Sequence, residues 1–170
     1  VFGSPDDYLK DDIEAVKNLF NEAEVPYEIP EDILHAIWAK FMFNVGINQI
    51  SAVLRAPYRY FQQVPSLHRW MEDAMYEVVS ISKKVGVFLT KEDVKKYRPI
   101  LKALSPDGMT SMLQDIEAGR KTEVEYFAGK VVELGKKYNV PTPINDQLLR
   151  MIPIIEEMNV LDTKMENSMV

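Results

Sequence analysis

Apolar residues recur at helical spacing along nearly the whole chain from Asp32 onward. Turn signals interrupt this pattern at the stretches RAPYRY, GVFLT, SPDGM and NVPTP. The pattern therefore predicts helices over 31–54, 66–85, 91–103, 110–118, 122–138 and 144–158. Pro153 is expected to kink or divide the last helix, and the polar tail after it is expected to fray. Together these helices predict an all-α body.

The first thirty residues follow a different pattern. VFG and VPYEIP are short extended stretches typical of strands, and the segment between them predicts a helix that Ser4 would cap, with Asp6 and Asp7 at its positive end. A single β-α-β unit does not make a stable sheet by itself. We therefore divide the chain into a β-α-β remnant over 1–30, a helical domain over 31–158 and a polar tail over 159–170.

Composition narrows the classes of function. A net charge of -6 argues against nucleic acid as a partner, because phosphate binding requires clustered lysine and arginine. The only histidines, His35 and His68, lack a partner at metal-ligand spacing, so no metal site is expected. No apolar run approaches the ~20 residues of a membrane span, and no signal peptide opens the chain. We therefore expect no membrane partner and a cytoplasmic protein, and the absence of cysteine is compatible with a reducing compartment.

A narrow polar stripe runs along the first long helix, in the sequence HAIWAKFMFNVGINQISAVL. On a helical wheel, Asn44, Asn48 and Ser51 fall within about 80° of Lys40, and the other positions apart from His35 and Gln49 are apolar. A helix that is apolar on nearly every side is buried, so its polar groups need partners or a wet cleft. A ligand pocket is one interpretation, and a hydrogen-bonded core network or a thin solvent-facing strip is the other.

A second group of polar residues lies in SMLQDIEAGRKTEVEYFAGKVVELGKKYNVPTP. Thr122 and Glu125 have the spacing of a capping box, which leaves Glu123 free in the first turn, where the helix dipole stabilises an anion. Ser111 and Gln114 share one side of a shorter helix, although Ser111 could equally serve only as its cap. Dipole stabilisation alone would also account for Glu123.

These two stretches together resemble the C-terminal domain of ketopantoate reductase, 2-dehydropantoate 2-reductase. The resemblance rests on W-x-K-x-x-x-N-x-x-x-N followed by the second polar stretch, and it spans most of residues 31–158. It implies the multi-helix C-terminal domain of the 6-phosphogluconate-dehydrogenase-like type, preceded by the last part of a dinucleotide-binding domain. The glycines form no G-x-G-x-x-G turn, so the main cofactor-binding half is missing from the chain, and Gly46 is interpreted as a close helix crossing.

The resemblance also implies an activity, in which NADPH reduces the 2-oxo group of 2-dehydropantoate to pantoate, a step of pantothenate and coenzyme A biosynthesis. In that scheme Lys40 is the general acid and stabilises a developing alkoxide, and Asn44 and Asn48 bind the substrate. Glu123 matches an acidic residue that contacts the cofactor and supports the catalytic centre. Ser111 matches a substrate-binding residue, and the segment from Ser111 to Gln114 is the local binding segment.

One position departs from the family pattern. A further substrate-binding asparagine would be expected ten residues after Asn48, and Tyr58 stands there. A reductase of another branched 2-oxo acid is therefore an alternative, and a helical dimerisation module without catalysis is a third hypothesis. The isolated chain is expected to be inactive.

The apolar surface of the long helices predicts a homodimer. The first long helix is apolar on most sides, and Met71, Met75, Val78, Val79 and Ile81 add to that surface. The dimer would form by helix packing, by strand exchange through residues 1–29, or by both, with C₂ symmetry.

Overall fold

The computed structural model describes residues 1–5 and 9–168, with the backbone alone for 166–168. The helices are α1 (Lys10–Glu22), α2 (Ile33–Leu54), α3 (Tyr58–Gln63), α4 (Pro65–Ser82), α5 (Lys91–Ala103), α6 (Ser111–Glu117), a π-helix (Glu125–Gly129), α7 (Lys130–Tyr138) and α8 (Pro143–Ser168). The described residues contain no strand, which confirms the all-α class. In this part of the chain no helix is both long and apolar enough to cross a membrane.

Helix α2 is the central element, and it packs against α4, α6, α8 and the π-helix. Asp32 caps its N-terminus by accepting the backbone N–H of His35 at 2.9 Å, and Arg55 ends it in the left-handed conformation. The middle of α2 is buried together with much of α4, because both helices carry apolar side chains on the faces that meet. These two helices position the predicted polar stripe.

Gly46 lies where α2 crosses α4. A Cβ atom added to Gly46 would lie 2.5 Å from Met75 Cγ and 2.9 Å from the backbone oxygen of Met71. Only a glycine allows the two helices to approach this closely. The interpretation of Gly46 as a close crossing is confirmed.

Helix α3 was not predicted, because its first three residues lie in the stretch RAPYRY that resembles a turn. The backbone N–H groups of Tyr58 and Arg59 donate to the carbonyl oxygens of Gly108 and Pro106, at 3.0 and 2.8 Å. These long-range bonds satisfy two donors that the start of a short helix leaves unpaired. The helix therefore depends on the distant SPDGM turn, which local sequence cannot reveal.

Helix α8 is longer than predicted. It begins at Pro143 and continues to Ser168, so the segment expected to fray is helical through Ser168. Pro153 lies inside this helix and does not divide it. The second half of α8 therefore presents an ordered helical surface.

The N-terminal segment differs from the predicted β-α-β unit in its strands. Its helix is present as α1, but α1 begins at Lys10 with Leu9 rather than Ser4 as its N-cap residue. The two extended stretches are joined by the Phe2 N–H, which donates to the Glu28 oxygen at 3.1 Å, and one such bond does not make a ladder. The predicted positions of Asp6 and Asp7 lie outside the described residues.

The apolar residues of α4 that were expected to form a dimer surface lie in the core. Each of them is less than 5% exposed: Met71, Met75, Val78, Val79 and Ile81. The prediction that they form an interface was wrong, because α4 turns this face toward α2 within the same chain. Any interface between copies must use another surface.

Candidate functional site

The polar stripe of α2 runs from the surface into the body of the domain. Lys40 is exposed, Asn44 is half-buried, Asn48 is 8% exposed and Ser51 is fully buried. The N-terminal half of α2 is more exposed than predicted, and Leu34 and Ile37 are exposed as well. The reason is that the helices that cover α2 contact mainly its middle and end. Burial of the stripe therefore increases from Lys40 to Ser51, and the stripe is not a buried pocket.

Most of the stripe has no internal partner. The Ser51 hydroxyl donates to the Ala56 carbonyl oxygen at 2.7 Å, which fixes the chain after α2. In contrast, none of the described residues forms a hydrogen bond with the side chains of Lys40, Asn44 or Asn48. These three side chains are not held in a core network, and their polar atoms remain available to solvent or a ligand.

Gln49 belongs to a buried network that the sequence pattern did not reveal. Its Nε2 donates to the Val45 oxygen at 2.9 Å and to Asn145 Oδ1 at 3.2 Å. Its Oε1 accepts the backbone N–H of Ala128 at 2.9 Å. The one available signal was that Gln49 is a lone amide on a side of the helix that is otherwise apolar.

The network continues to the start of α8. The Glu77 carboxylate accepts the backbone N–H groups of Ile144 and Asn145 at 2.8 and 3.1 Å, and Asn145 Nδ2 at 2.7 Å. A carboxylate at a helix N-terminus satisfies unpaired donors and interacts favourably with the helix dipole. Glu77 and Gln49 thus hold α8 and the π-helix against the central helices.

The π-helix follows from the bond between Gln49 and Ala128. Since Gln49 takes the Ala128 N–H, the helical ladder widens, and the Gly129 N–H donates to the Val124 oxygen five residues earlier, at 3.1 Å. Glu123 stands just before this widened turn, and its side chain is exposed. The buried amide of Gln49 therefore shapes the backbone that carries Glu123.

Aromatic packing joins this turn to α2 next to Lys40 in sequence. The Phe127 ring lies 6.4 Å from the Phe41 ring, centroid to centroid, and Phe41 follows Lys40 directly in sequence. Lys40 and Glu123 are thus on neighbouring elements, and no ion pair joins them within the described part of the chain. Both charges face outward at this junction.

The predicted capping box of Thr122 and Glu125 does not form. Glu156 on α8 instead accepts both the Thr122 backbone N–H at 2.8 Å and the Thr122 hydroxyl at 2.6 Å. The prediction was wrong because a long-range carboxylate occupies the donors that Glu125 would have taken. Glu125 is exposed, and the Thr122 hydroxyl oxygen accepts the Val124 N–H at 3.3 Å.

Ser111 and Gln114 lie on the outer side of α6. Thr110, rather than Ser111, caps this helix by accepting the Leu113 N–H at 3.2 Å. Ser111 is exposed, and the exposed side chain of Gln114 donates to the Met109 oxygen at 3.2 Å. The opposite, apolar side of α6 is buried, so Ser111 and Gln114 lie on its solvent-facing side.

Two carboxyl groups outside the predicted set of site residues, Asp93 and Glu72, have lowered pKa values. Burial raises the pKa of Asp93, but hydrogen bonds from Thr90 and Lys96 and the charge of His35 outweigh it and lower the pKa to about 2. Burial also raises the pKa of Glu72, but hydrogen bonds from Arg98 and His68 outweigh it and lower the pKa. Both carboxylates are structural.

No metal cluster is present among the described residues. Both histidines pair with carboxylates, since His35 Nε2 lies 3.4 Å from Asp93 and His68 Nε2 lies 3.1 Å from Glu72. His35 therefore links α2 to α5, and His68 links two successive turns of α4.

Two open clefts of about 500 and 540 Å³ lie elsewhere on the surface. The first is lined by residues such as Leu54 and Trp70, and the second by residues such as Pro153 and Leu161. Neither includes any of the predicted site residues. The predicted stripe therefore lies outside both clefts.

Comparison with known proteins places this helical domain in an oxidoreductase family. The family model described as "Ketopantoate reductase PanE/ApbA C terminal" matches residues 32–156. The 2-dehydropantoate 2-reductase of Aquifex aeolicus is 31% identical over 170 residues, covering 96% of this chain and 54% of that protein. The chain belongs to the ketopantoate reductase family and corresponds to its C-terminal domain.

Two solved structures share the fold. D-mandelate dehydrogenase, determined with NADH and anilino(oxo)acetate, has a TM-score of 0.82 at 21% identity, covering 94% of this chain and 69% of that one. A dimeric ketopantoate reductase from Staphylococcus aureus has a TM-score of 0.75 at 20% identity, covering 86% of this chain and 51% of that one. The chain spans about half the length of the curated relatives it matches.

Proposed function

We propose that this chain is the substrate-binding and catalytic half of an NADP-dependent ketopantoate reductase that reduces 2-dehydropantoate to pantoate in the cytoplasm. The observation that carries the proposal is the set of Lys40, Asn44 and Asn48, which share one face of α2 and have no hydrogen-bond partner within the described residues. Family membership supplies the reaction class. The outward-facing site fits a protein in which further chain completes the cleft.

The residues present fit contact with a nicotinamide nucleotide but not its full recognition. The sequence contains no G-x-G-x-x-G turn, which is the usual cradle for the pyrophosphate. Glu123 is exposed beside the junction of α2 and the π-helix, where it can accept a hydrogen bond from the cofactor. When bound, the reduced nicotinamide supplies the hydride.

Lys40 and the two asparagines have distinct roles in this proposal. The Lys40 ammonium donates a proton to the 2-oxo oxygen and stabilises negative charge that develops there. Asn44 and Asn48 lie about one and two turns further along α2, and their amides orient the carboxylate and hydroxyl oxygens. The increasing burial from Lys40 to Asn48 would place the substrate with one end in the domain and its reacting carbon toward the open side.

A reductase of another branched 2-oxo acid is the second candidate. Tyr58 favours it, because this half-buried aromatic residue stands where the family pattern predicts an asparagine. A Cβ atom added to Gly108 would lie 3.0 Å from the Tyr58 ring, so the ring is packed on the turn that precedes Ser111. An aromatic group there would favour a different side chain on the 2-oxo acid.

Steady-state kinetics of the full-length protein test the proposal. Among several branched 2-oxo acids, we expect the highest kcat/KM for 2-dehydropantoate. For this substrate, kcat/KM should be higher with NADPH than with NADH. Tyr58→Asn should increase discrimination in favour of 2-dehydropantoate if the ring limits its binding. Preference for another 2-oxo acid would support the second candidate, and no turnover with any of them would support a helical module without catalysis.

A further inference from the structure

The second half of α8 carries a line of exposed apolar side chains. Their exposed fractions are 40% for Met151, 55% for Ile154, 56% for Met158, 58% for Leu161 and 55% for Met165. The intervals between them alternate strictly between three and four residues. This alternation is the heptad spacing of helices that pack side by side, with these residues at the a and d positions.

We propose that this line, the α8 seam (Met151, Ile154, Met158, Leu161 and Met165), binds the same seam of a second copy of the chain in antiparallel orientation. A seam of this kind is self-complementary, because an a residue of one helix packs on a d residue of its antiparallel partner. A two-fold axis between Met158 and Leu161 relates the two copies. The proposal concerns assembly and does not depend on the proposed catalytic activity.

The charges that flank the seam select the antiparallel orientation. Glu157 and Lys164 occupy the g positions of this heptad, Asp162 occupies an e position, and all three are exposed. In a parallel pair, Glu157 of one helix would face Asp162 of the other, and the like charges would repel. In an antiparallel pair, g positions face g positions, so Glu157 of each copy meets Lys164 of the other.

The same charges select one register. With Met158 on Leu161 of the partner subunit and Ile154 on Met165 of the partner subunit, both Glu157–Lys164 pairs form. A shift by one heptad toward the N-terminus would place Glu157 against Glu157 of the partner subunit and Arg150 against Lys164 of the partner subunit. A shift the other way would place Lys164 against Lys164 of the partner subunit. Of these three registers, only the first pairs opposite charges at the g positions.

An adjoining cleft enlarges the surface beyond one helix. The cleft of about 540 Å³ is lined by apolar atoms of Pro153, Val160 and Leu161 and by the charged residues Arg120 and Glu157. Leu161 and Glu157 thus belong both to this cleft and to the seam or its flank. A single pair of helices buries an area near the low end for specific interfaces, so side chains entering the cleft would add to the contact.

Light scattering tests whether the seam holds two copies together. We expect a mass of about twice the 19.6 kDa of the chain at tens of micromolar. The double variant Met158→Glu/Leu161→Glu should elute as a monomer, because it places charges at the centre of the seam, while retaining its helical circular dichroism. Phe88→Glu, at a 65% exposed position in the turn after α4, is the matched control and should remain dimeric.

Cross-linking tests the orientation and register, since the chain has no cysteine of its own. Glu157→Cys/Lys164→Cys should form a covalent dimer under mild oxidation, whereas Glu157→Cys alone should not. In a separate pair of variants, Glu157→Lys should weaken the dimer and Glu157→Lys/Lys164→Glu should restore it. A monomeric wild-type chain, a dimer that survives the double glutamate substitution, or efficient cross-linking by Glu157→Cys alone would overturn the proposal.

Discussion

The side-chain Oε1 of Gln49 accepts the backbone N–H of Ala128 at 2.9 Å, which ties the middle of the central helix to the π-helix. The same amide donates to Asn145 at the start of α8. One buried residue therefore sets the relative positions of three elements. Because Glu123 lies just before the π-helix and Lys40 lies earlier on α2, this bond also links the elements that carry these two predicted site residues.

Replacement of Gln49 by leucine should destabilise the chain. The substitution leaves the Ala128 N–H and Asn145 Oδ1 without their partner, at a cost of about 1–3 kcal/mol for each buried group left unpaired. Urea denaturation would measure the loss in unfolding free energy. Amide hydrogen exchange at Ala128 should also become faster than in the wild type.

The control for this prediction is Gln147→Leu, at an exposed position on α8. It makes the same chemical change without removing a buried partner, so its unfolding free energy should stay close to that of the wild type. Equal stability of the two variants, with unchanged protection of Ala128, would show that the Gln49 bond does not hold the π-helix.

Replacement of Gly46 by alanine should force α2 and α4 apart. The added methyl group would meet the backbone oxygen of Met71 at 2.9 Å as well as the side chain of Met75, and the backbone cannot yield as a side chain can. Overpacking of this kind costs about 1–3 kcal/mol, measurable as a lower urea midpoint with an unchanged m-value. Gly129→Ala is the comparison, because its nearest neighbour is the end of the exposed Glu125 side chain, at 2.8 Å, and we expect a smaller effect.

Periodicity and turn residues predicted most of the helices, because these signals are local. α5 matches its predicted bounds, Lys91–Ala103, since Thr90 and Asp93 form a capping box within four residues of sequence. The close crossing at Gly46 was also visible as a glycine on an apolar helix. The polar stripe of Lys40, Asn44 and Asn48 is likewise a pattern within one helix.

The features that local sequence could not predict depend on residues far apart in the chain. Glu156 replaces Glu125 as the partner of Thr122 from 34 residues away, and Gln49 reaches Ala128 across 79. The α4 residues expected at an interface are buried because α2 covers them. The periodicity of a helix shows that one face is apolar, but not whether the same chain or another copy covers that face. The roles of Ser111, Gln114 and Glu123 stay predictions. These side chains are exposed, so what they bind depends on groups outside this domain.

Acid should remove a defined part of the stability, through Asp93. The pKa of this carboxyl is about 2 in the folded chain against an ordinary value of 3.8, so its charged form is the one that folding favours. Its contribution, roughly 2 kcal/mol, is present above about pH 4 and is lost as the pH falls toward 2. We expect Asp93→Asn to be less stable than the wild type at pH 5 and nearly equal to it at pH 2.

Denaturation by urea at both pH values would measure this difference. The groups that face Asp93 are Thr90, Lys96 and His35. Asp73→Asn, at an exposed position on α4, is the control and should show little difference at either pH. A constant gap between Asp93→Asn and the wild type from pH 5 to pH 2 would contradict the assignment.

The 170-residue chain should bind NADPH weakly or not at all. Tight pyrophosphate binding uses a helix N-terminus and close backbone amides in a glycine-rich turn, and this sequence has no such turn. Titration calorimetry of the isolated chain measures this directly. Binding with micromolar or tighter affinity would contradict the prediction. It would mean that the surface around Glu123 binds the nucleotide without a glycine-rich turn.

Replacement of Lys40 by alanine should separate catalysis from folding. Lys40 is exposed and forms no hydrogen bond or ion pair with the other described residues, so its loss should leave the unfolding free energy of the chain nearly unchanged. In the full-length reductase the same substitution should reduce kcat by ~10²–10⁴-fold, the range for loss of a general acid. Lys102→Ala, at an exposed position near the end of α5, is the matched control and should keep full activity. Turnover of Lys40→Ala within threefold of the wild type, a limit of about 0.7 kcal/mol in activation free energy, would remove this ammonium from the mechanism and leave the stripe as a solvated strip on α2.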